Sequence, residues 1–164
     1  MLATTTQEKS SQITTASTPT ETKAPQIQGK LSPIEGVNIG DSFSQAFSVI
    51  REKYGITSDE RSEWNNYEIP TYKYYTEDTT FDFSVDNNSL VRIATSEKDA
   101  SLDGIKMGDL KNTVVDMVAT EFVIDEENRA INYEKSGLFI TFMFDQNWTV
   151  DMIAISTFEV QALA

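Results

Sequence analysis

Two stretches of the chain alternate apolar and polar residues, break at an Asp-x-Asn triplet, and then alternate again. They are residues 80–96 (TFDFSVDNNSLVRIATS) and residues 138–156 (LFITFMFDQNWTVDMIAIS). A two-residue period interrupted by turn-tolerant residues predicts strand, tight turn, strand in each case. Upstream of each hairpin a Gly-Asp pair, Gly40-Asp41 and Gly108-Asp109, opens a stretch with helical spacing. In the first, Asp41 or Ser42 supplies the cap, and Gln45 three residues after Ser42 completes a capping-box pattern. Ala46, Phe47, Ile50 and Tyr54 then form the apolar face, and Gly55 supplies the stop.

The second half restates this pattern. Asp109 is expected to cap a helix whose apolar residues Val114, Val115, Val118 and Phe122 each stand 68 positions after their counterparts. A short strand over residues 36–39 has its counterpart at Ile105 and Met107. Residues 58–64 read as a short helix or a loop, and the aromatic run 67–77 as a strand behind Pro70. The second copy is shorter in its middle, around residues 125–132, because its hairpin stands only 59 positions after the first. The predicted fold class is therefore α+β: two tandem helix-plus-antiparallel-hairpin repeats, residues 36–96 and 102–158, sharing one sheet with the helices packed on one face. Residues 34–164 form one domain on this reading. Residues 1–33, rich in Thr, Ser, Gln and Pro, are expected to be a disordered linker, either a tether from a membrane anchor or a loose terminus.

Composition narrows the chemistry. The chain has 164 residues with no cysteine and no histidine. That removes disulfides, thiolate nucleophiles, imidazole bases and the usual zinc sites, so no catalytic residue, metal ligand or cofactor is assigned. Net charge is −13, and residues 1–30 carry three lysines against two glutamates, which leaves −14 on the remainder. A field of that sign repels nucleic acid and favours basic partners. No apolar run is long enough to span a membrane, and residues 1–3 do not begin a signal peptide.

The pattern Gly-(x)3-Gly-Asp, amphipathic helix, aromatic strand, Phe/Ile-x-Phe-x-x-Asp-x-Asn and closing strand resembles the tandem repeat of the YjgB-like family. It occurs at Gly36, Gly40 and Asp41 with Phe81, Phe83, Asp86 and Asn88, and again at Gly104, Gly108 and Asp109 with Ile140, Phe142, Asp145 and Asn147. Those are secreted or lipid-anchored proteins of Gram-positive bacteria with no established activity. The same unit is similar to the beta-lactamase inhibitory protein, which has two such repeats, and to the outer-membrane lipoprotein BamE, which has one. The resemblance covers residues 36–158 and implies export; it carries no functional residue to this chain.

Trp64, Tyr67, Tyr72, Tyr74 and Tyr75 are the densest aromatic group and the candidate binding residues. Strand alternation puts Tyr72 and Tyr74 on one face and Lys73 and Tyr75 on the other, so a single core does not account for both. Exposed aromatics anchor protein interfaces or stack on sugars; packing of both faces, one under the helix and one under the polar middle segment, is the alternative. In the second copy, Leu138, Ile140, Phe142 and Phe144 face inward and leave Phe139 and Met143 on the other side. Asp86-Asn87-Asn88 and Asp145-Gln146-Asn147 offer oxygen ligands, but lack a calcium-loop pattern and read as turns. The acidic residues Asp59, Glu60, Glu63 and Asp125 to Glu127 read as solvated loop charge. The function expected is a non-enzymatic extracellular or cell-envelope binding or inhibitory module, with a protein or glycan as partner and the outer sheet face as its site. A carboxylate-based glycan-acting enzyme and a structural spacer are the alternatives.

Overall fold

A computed structural model describes residues 31–65 and 67–160; the linker expected over residues 1–33 falls, up to residue 30, outside the described residues. Helix α1 spans Phe43–Tyr54 and α2 spans Lys111–Met117. The strands are β1 Ser62–Trp64, β2 Thr71–Tyr75, β3 Thr79–Ser84, β4 Leu90–Thr95, β5 Ser101–Leu102, β6 Ile105–Lys106, β7 Phe122–Asp125, β8 Ala130–Lys135, β9 Leu138–Phe144 and β10 Val150–Ser156. Eight of them form one antiparallel sheet in the order β1-β2-β3-β4-β10-β9-β8-β7. β5 and β6 pair separately.

This overturns the α+β reading. Over the described residues the fold is largely β, one large eight-stranded sheet with two short helices, and not a pair of helix-plus-hairpin repeats. The physical reason lies in strands outside the hairpins. β1, β2, β7 and β8 extend the sheet on both sides, so each half contributes four strands. The second helix also fails to develop: it lasts seven residues, its N-cap Leu110 makes no side-chain cap bond, and Val118 leaves it in an extended conformation. Four valines, Val114, Val115, Val118 and Val123, stiffen χ1 and favour strand over helix. Phe122, expected on the helix face, opens β7 instead. Asp109 does not cap; its carboxylate accepts from Lys106 N at 2.8 Å. Residues 36–39 form turns and no strand, and residues 62–64 are β1, neither helix nor loop.

α1 forms as its sequence dictates. The Ser42 hydroxyl accepts from Gln45 N, Gln45 Oε1 accepts from Ser42 N, and Gly55 closes the helix at φ 63°. Ala46 and Ile50 are buried, Phe43 meets Phe83 edge-on at 4.9 Å, and Phe47 meets Tyr74 at 5.4 Å. Beneath the helix runs one row of paired inner residues, Tyr74, Phe81, Ile93, Ile155, Ile140, Tyr133 and Phe122. What repeats between the halves is a turn-and-bridge device. Gly40 N donates to Leu90 O and Gly108 N to Val150 O, both at 2.8 Å, each glycine at a φ that other residues resist.

Candidate binding face

Sheet pleating sends alternate residues to the opposite, outer face. The pairing aligns Lys73, Asp82, Arg92, Ser156, Phe139 and Glu134 in one transverse row, and Tyr75, Thr80, Ala94, Ala154, Thr141, Asn132 and Val123 in the next. Among the described residues no helix lies on this side. On the β1–β4 half, the connection after β1 and the segment after β10 fold back over it: Tyr67 packs against Phe158 at 5.3 Å and against Trp64 at 6.4 Å.

Under that cover lies a buried charge network. Asp82 has no solvent exposure; it accepts from Lys73 Nζ at 2.6 Å and from Arg92 Nη1 at 3.0 Å. Lys73 Nζ also donates to Tyr67 Oη at 2.7 Å and stands 4.4 Å from that ring's centroid. Two cations on one carboxylate, roofed by Trp64 and Tyr67, account for how a lysine can be 4% exposed in mid-strand.

The other half of the face is open among the described residues. A groove of about 350 Å³ runs between the cover and β7, lined by Trp64, Tyr67, Arg92, Ala130, Asn132, Phe139, Thr141, Met143 and Val160. It continues into a wider depression along β7, of about 1260 Å³, rimmed by Glu121, Asp125, Glu126, Glu127, Glu134 and Glu159. The floor is apolar and aromatic, the walls carry amide and hydroxyl groups, and the rim is acidic. The Asp125 carboxyl is held below the usual carboxylate range by hydrogen bonds from the Asn128 side chain and backbone.

The five predicted aromatics divide between the faces. Trp64 and Tyr67 line the groove. Tyr74 is core, 4% exposed, with its hydroxyl donating to Ser58 O, and its pKa is raised by burial and then by Asp59. Tyr72 is half-buried on that same inner side, 5.1 Å from the Arg61 guanidinium. Tyr75 is exposed on the outer side, away from the groove. Phe139 and Met143 are on the outer face as the alternation of β9 requires. Sequence reasoning missed Arg92, Asn132 and the buried acid. The signal was present: Lys73, Asp82 and Arg92 each sit between two apolar residues in mid-strand, and their signs are complementary.

The turn triplets serve their own turns. Asp145 Oδ1 accepts from Asn147 N and Thr149 N, and Asn87 Oδ1 accepts from Ser89 N. Among the described residues no group of three or more acidic side chains is disposed to hold a metal, and no helix is long and apolar enough to cross a membrane.

Fold and face together define a predominantly β protein with one sheet surface packed under its helices and the other half open. Among solved structures, a cysteine-rich secretory protein from Staphylococcus aureus is similar, with a TM-score of 0.51 at 12% identity over 78% of this chain. The match takes in 48% of that protein, so this chain spans about half its length. YjgB, a DUF4309 family protein from Bacillus subtilis, is a looser likeness: TM-score 0.42, 12% identity, 76% of this chain and 84% of that one. Neither is described as an enzyme. The comparisons show neither the inhibitory-protein and BamE similarity nor a lipid anchor. No family model and no curated protein matches the chain.

Proposed function

We propose that this protein is a non-enzymatic binding module of the extracellular space or outer cell surface, engaging a protein or glycan through the open half of its outer sheet face. The observation that carries this reading is the groove itself. Among the described residues an apolar floor of Phe139, Met143 and Val160, with Trp64 and Tyr67 at one end, is left uncovered on a face whose other half is roofed. The acidic rim makes association salt-sensitive. Catalysis on a glycan is the weaker reading, because glycoside hydrolysis needs two carboxyl groups facing each other across the cleft, and among the described residues Asp125 is the one carboxylate that lines the groove. The outer-surface location rests on the Thr/Ser/Pro-rich N-terminal residues and on the resemblance to secreted proteins.

Met143 is 36% exposed in the groove, so Met143→Lys changes the face without opening the core. With the full chain as bait, a partner from cell-envelope extracts or a panel of defined glycans is expected to bind wild type. Binding should fall about tenfold or more in Met143→Lys and weaken with salt, while the thermal unfolding midpoint stays unchanged. Equal binding by the variant overturns the assignment of the face. Absence of any partner favours the spacer reading.

A further inference from the structure

We propose that the free edge of β7, which borders the groove and shares the carboxylates of its acidic rim, is a second binding site that takes an extended basic polypeptide as an added strand. β7 is terminal in the sheet, and among the described residues no strand pairs with its outer side. The ladder fixes which groups are free. Arg129 O accepts from Phe144 N, so residues 129, 131 and 133 bond toward β9, whereas Ala130 and Asn132 bond toward Asp125 and Val123. The N–H and C=O groups of Phe122 and Ile124 therefore point away from the sheet. Natural edges are usually blunted by proline, an edge lysine or a bulge. β7 has none of these: its sequence is Phe-Val-Ile-Asp and its register with β8 is unbroken. Val123 is 66% exposed and Ile124 39%.

Charge selects the occupant. A second copy pairing antiparallel about Val123 sets Glu121 against Asp125 of the first, a repulsive cross-strand pair on both sides of the axis. An incoming strand with basic residues on the outer face meets Glu121 and Asp125 favourably. Apolar residues on its inner face extend the row of Phe122 and Ile124. The site thus fits a strand alternating basic and apolar residues, held by main-chain bonds from alternate amides.

The probe is the peptide acetyl-Lys-Val-Lys-Val-Lys-Val-Lys-amide, titrated against the full chain by calorimetry. Two N-methylated forms and the Glu-for-Lys counterpart accompany it. In the proposed geometry the valines share the inner face with Phe122 and Ile124, so their amides face the edge. N-methylation of the valines should weaken binding about tenfold or more, N-methylation of the lysines should leave it near the parent value, and the Glu peptide should not bind. Ile124→Pro removes one outward donor while sparing the β7–β8 bonds, and is expected to abolish binding. Val123→Lys, at an exposed position that cannot unfold the core, should weaken it comparably. Equal loss with both methylated peptides or with neither would show attraction by charge alone and overturn the proposal, as would no binding of the parent peptide. Self-association of the wild type that Ile124→Pro abolishes would assign the edge to a second copy and also overturn it.

Discussion

Removing the Asp82 carboxylate is the most informative single perturbation of this fold. Asp82 is fully buried between Lys73 at 2.6 Å and Arg92 at 3.0 Å. At an effective dielectric of about 20, each such contact is worth about 6 kcal/mol of attraction, against a desolvation cost of several kcal/mol for each ion. The intact triad therefore contributes little net stability. Its parts are not separable, however. Asp82→Ala leaves two cations under Trp64 and Tyr67 with only neutral hydroxyls, those of Tyr67 and Thr71, beside the vacated carboxylate, and Arg92 Nε is already unpartnered among the described residues. The expected cost is about 3–5 kcal/mol. Urea unfolding followed by tryptophan fluorescence measures it. The triple replacement Lys73→Met, Asp82→Leu, Arg92→Met should return to within about 1 kcal/mol of wild type or exceed it. An Asp82→Ala cost below about 1 kcal/mol would refute the reasoning, and so would a triple variant as unstable as the single one.

Two further outcomes concern tyrosines. Tyr74→Ala should cost about 3–5 kcal/mol, since it removes a buried ring edge-on to Phe47, whereas Tyr75→Ala, at a side chain 54% exposed, should stay within about 0.5 kcal/mol; paired denaturation curves test the contrast. At alkaline pH the fold should weaken, because burial first, and then the Asp103 carboxylate, raises the Tyr133 pKa. A raised folded-state pKa leaves the stabilisation intact below the unfolded value of about 10 and removes it as pH climbs beyond that value. Urea midpoints between about pH 8 and 11 should fall less steeply in Tyr133→Phe than in wild type, and identical slopes would contradict the assignment.

The hairpins were legible because two signals coincide in them: a strict two-residue period and an Asp-x-Asn turn. α1 was legible for the same reason, with cap, apolar face and terminal glycine in agreement. α2 was not. Val114, Val118 and Phe122 share the i, i+4 spacing of a helix, but that spacing also fits a short helix followed by a strand, and β-branched residues decide for the latter. β1 is three residues long and partly exposed, below what periodicity can register. The aromatic cluster was visible as composition, and strand alternation separated Tyr72 and Tyr74 from Lys73. Which of those faces lies under the helix depends on contacts from Phe43 and Phe47, distant in sequence, and no local pattern encodes it.

β10 pairs with β4 on one side and β9 on the other, so the last strand of the described chain is also the middle of the sheet. During synthesis the ribosome releases β1 to β4 long before their central neighbour exists. Until then β4, with Leu90, Val91 and Ile93, presents a bare apolar border. The two halves close only when Ile153 reaches Thr95, a contact that local folding of either half cannot replace. The nascent protein thus has an interval in which it needs either an escort or delayed folding, and truncation before residue 150 should yield aggregates in place of a half-sized domain.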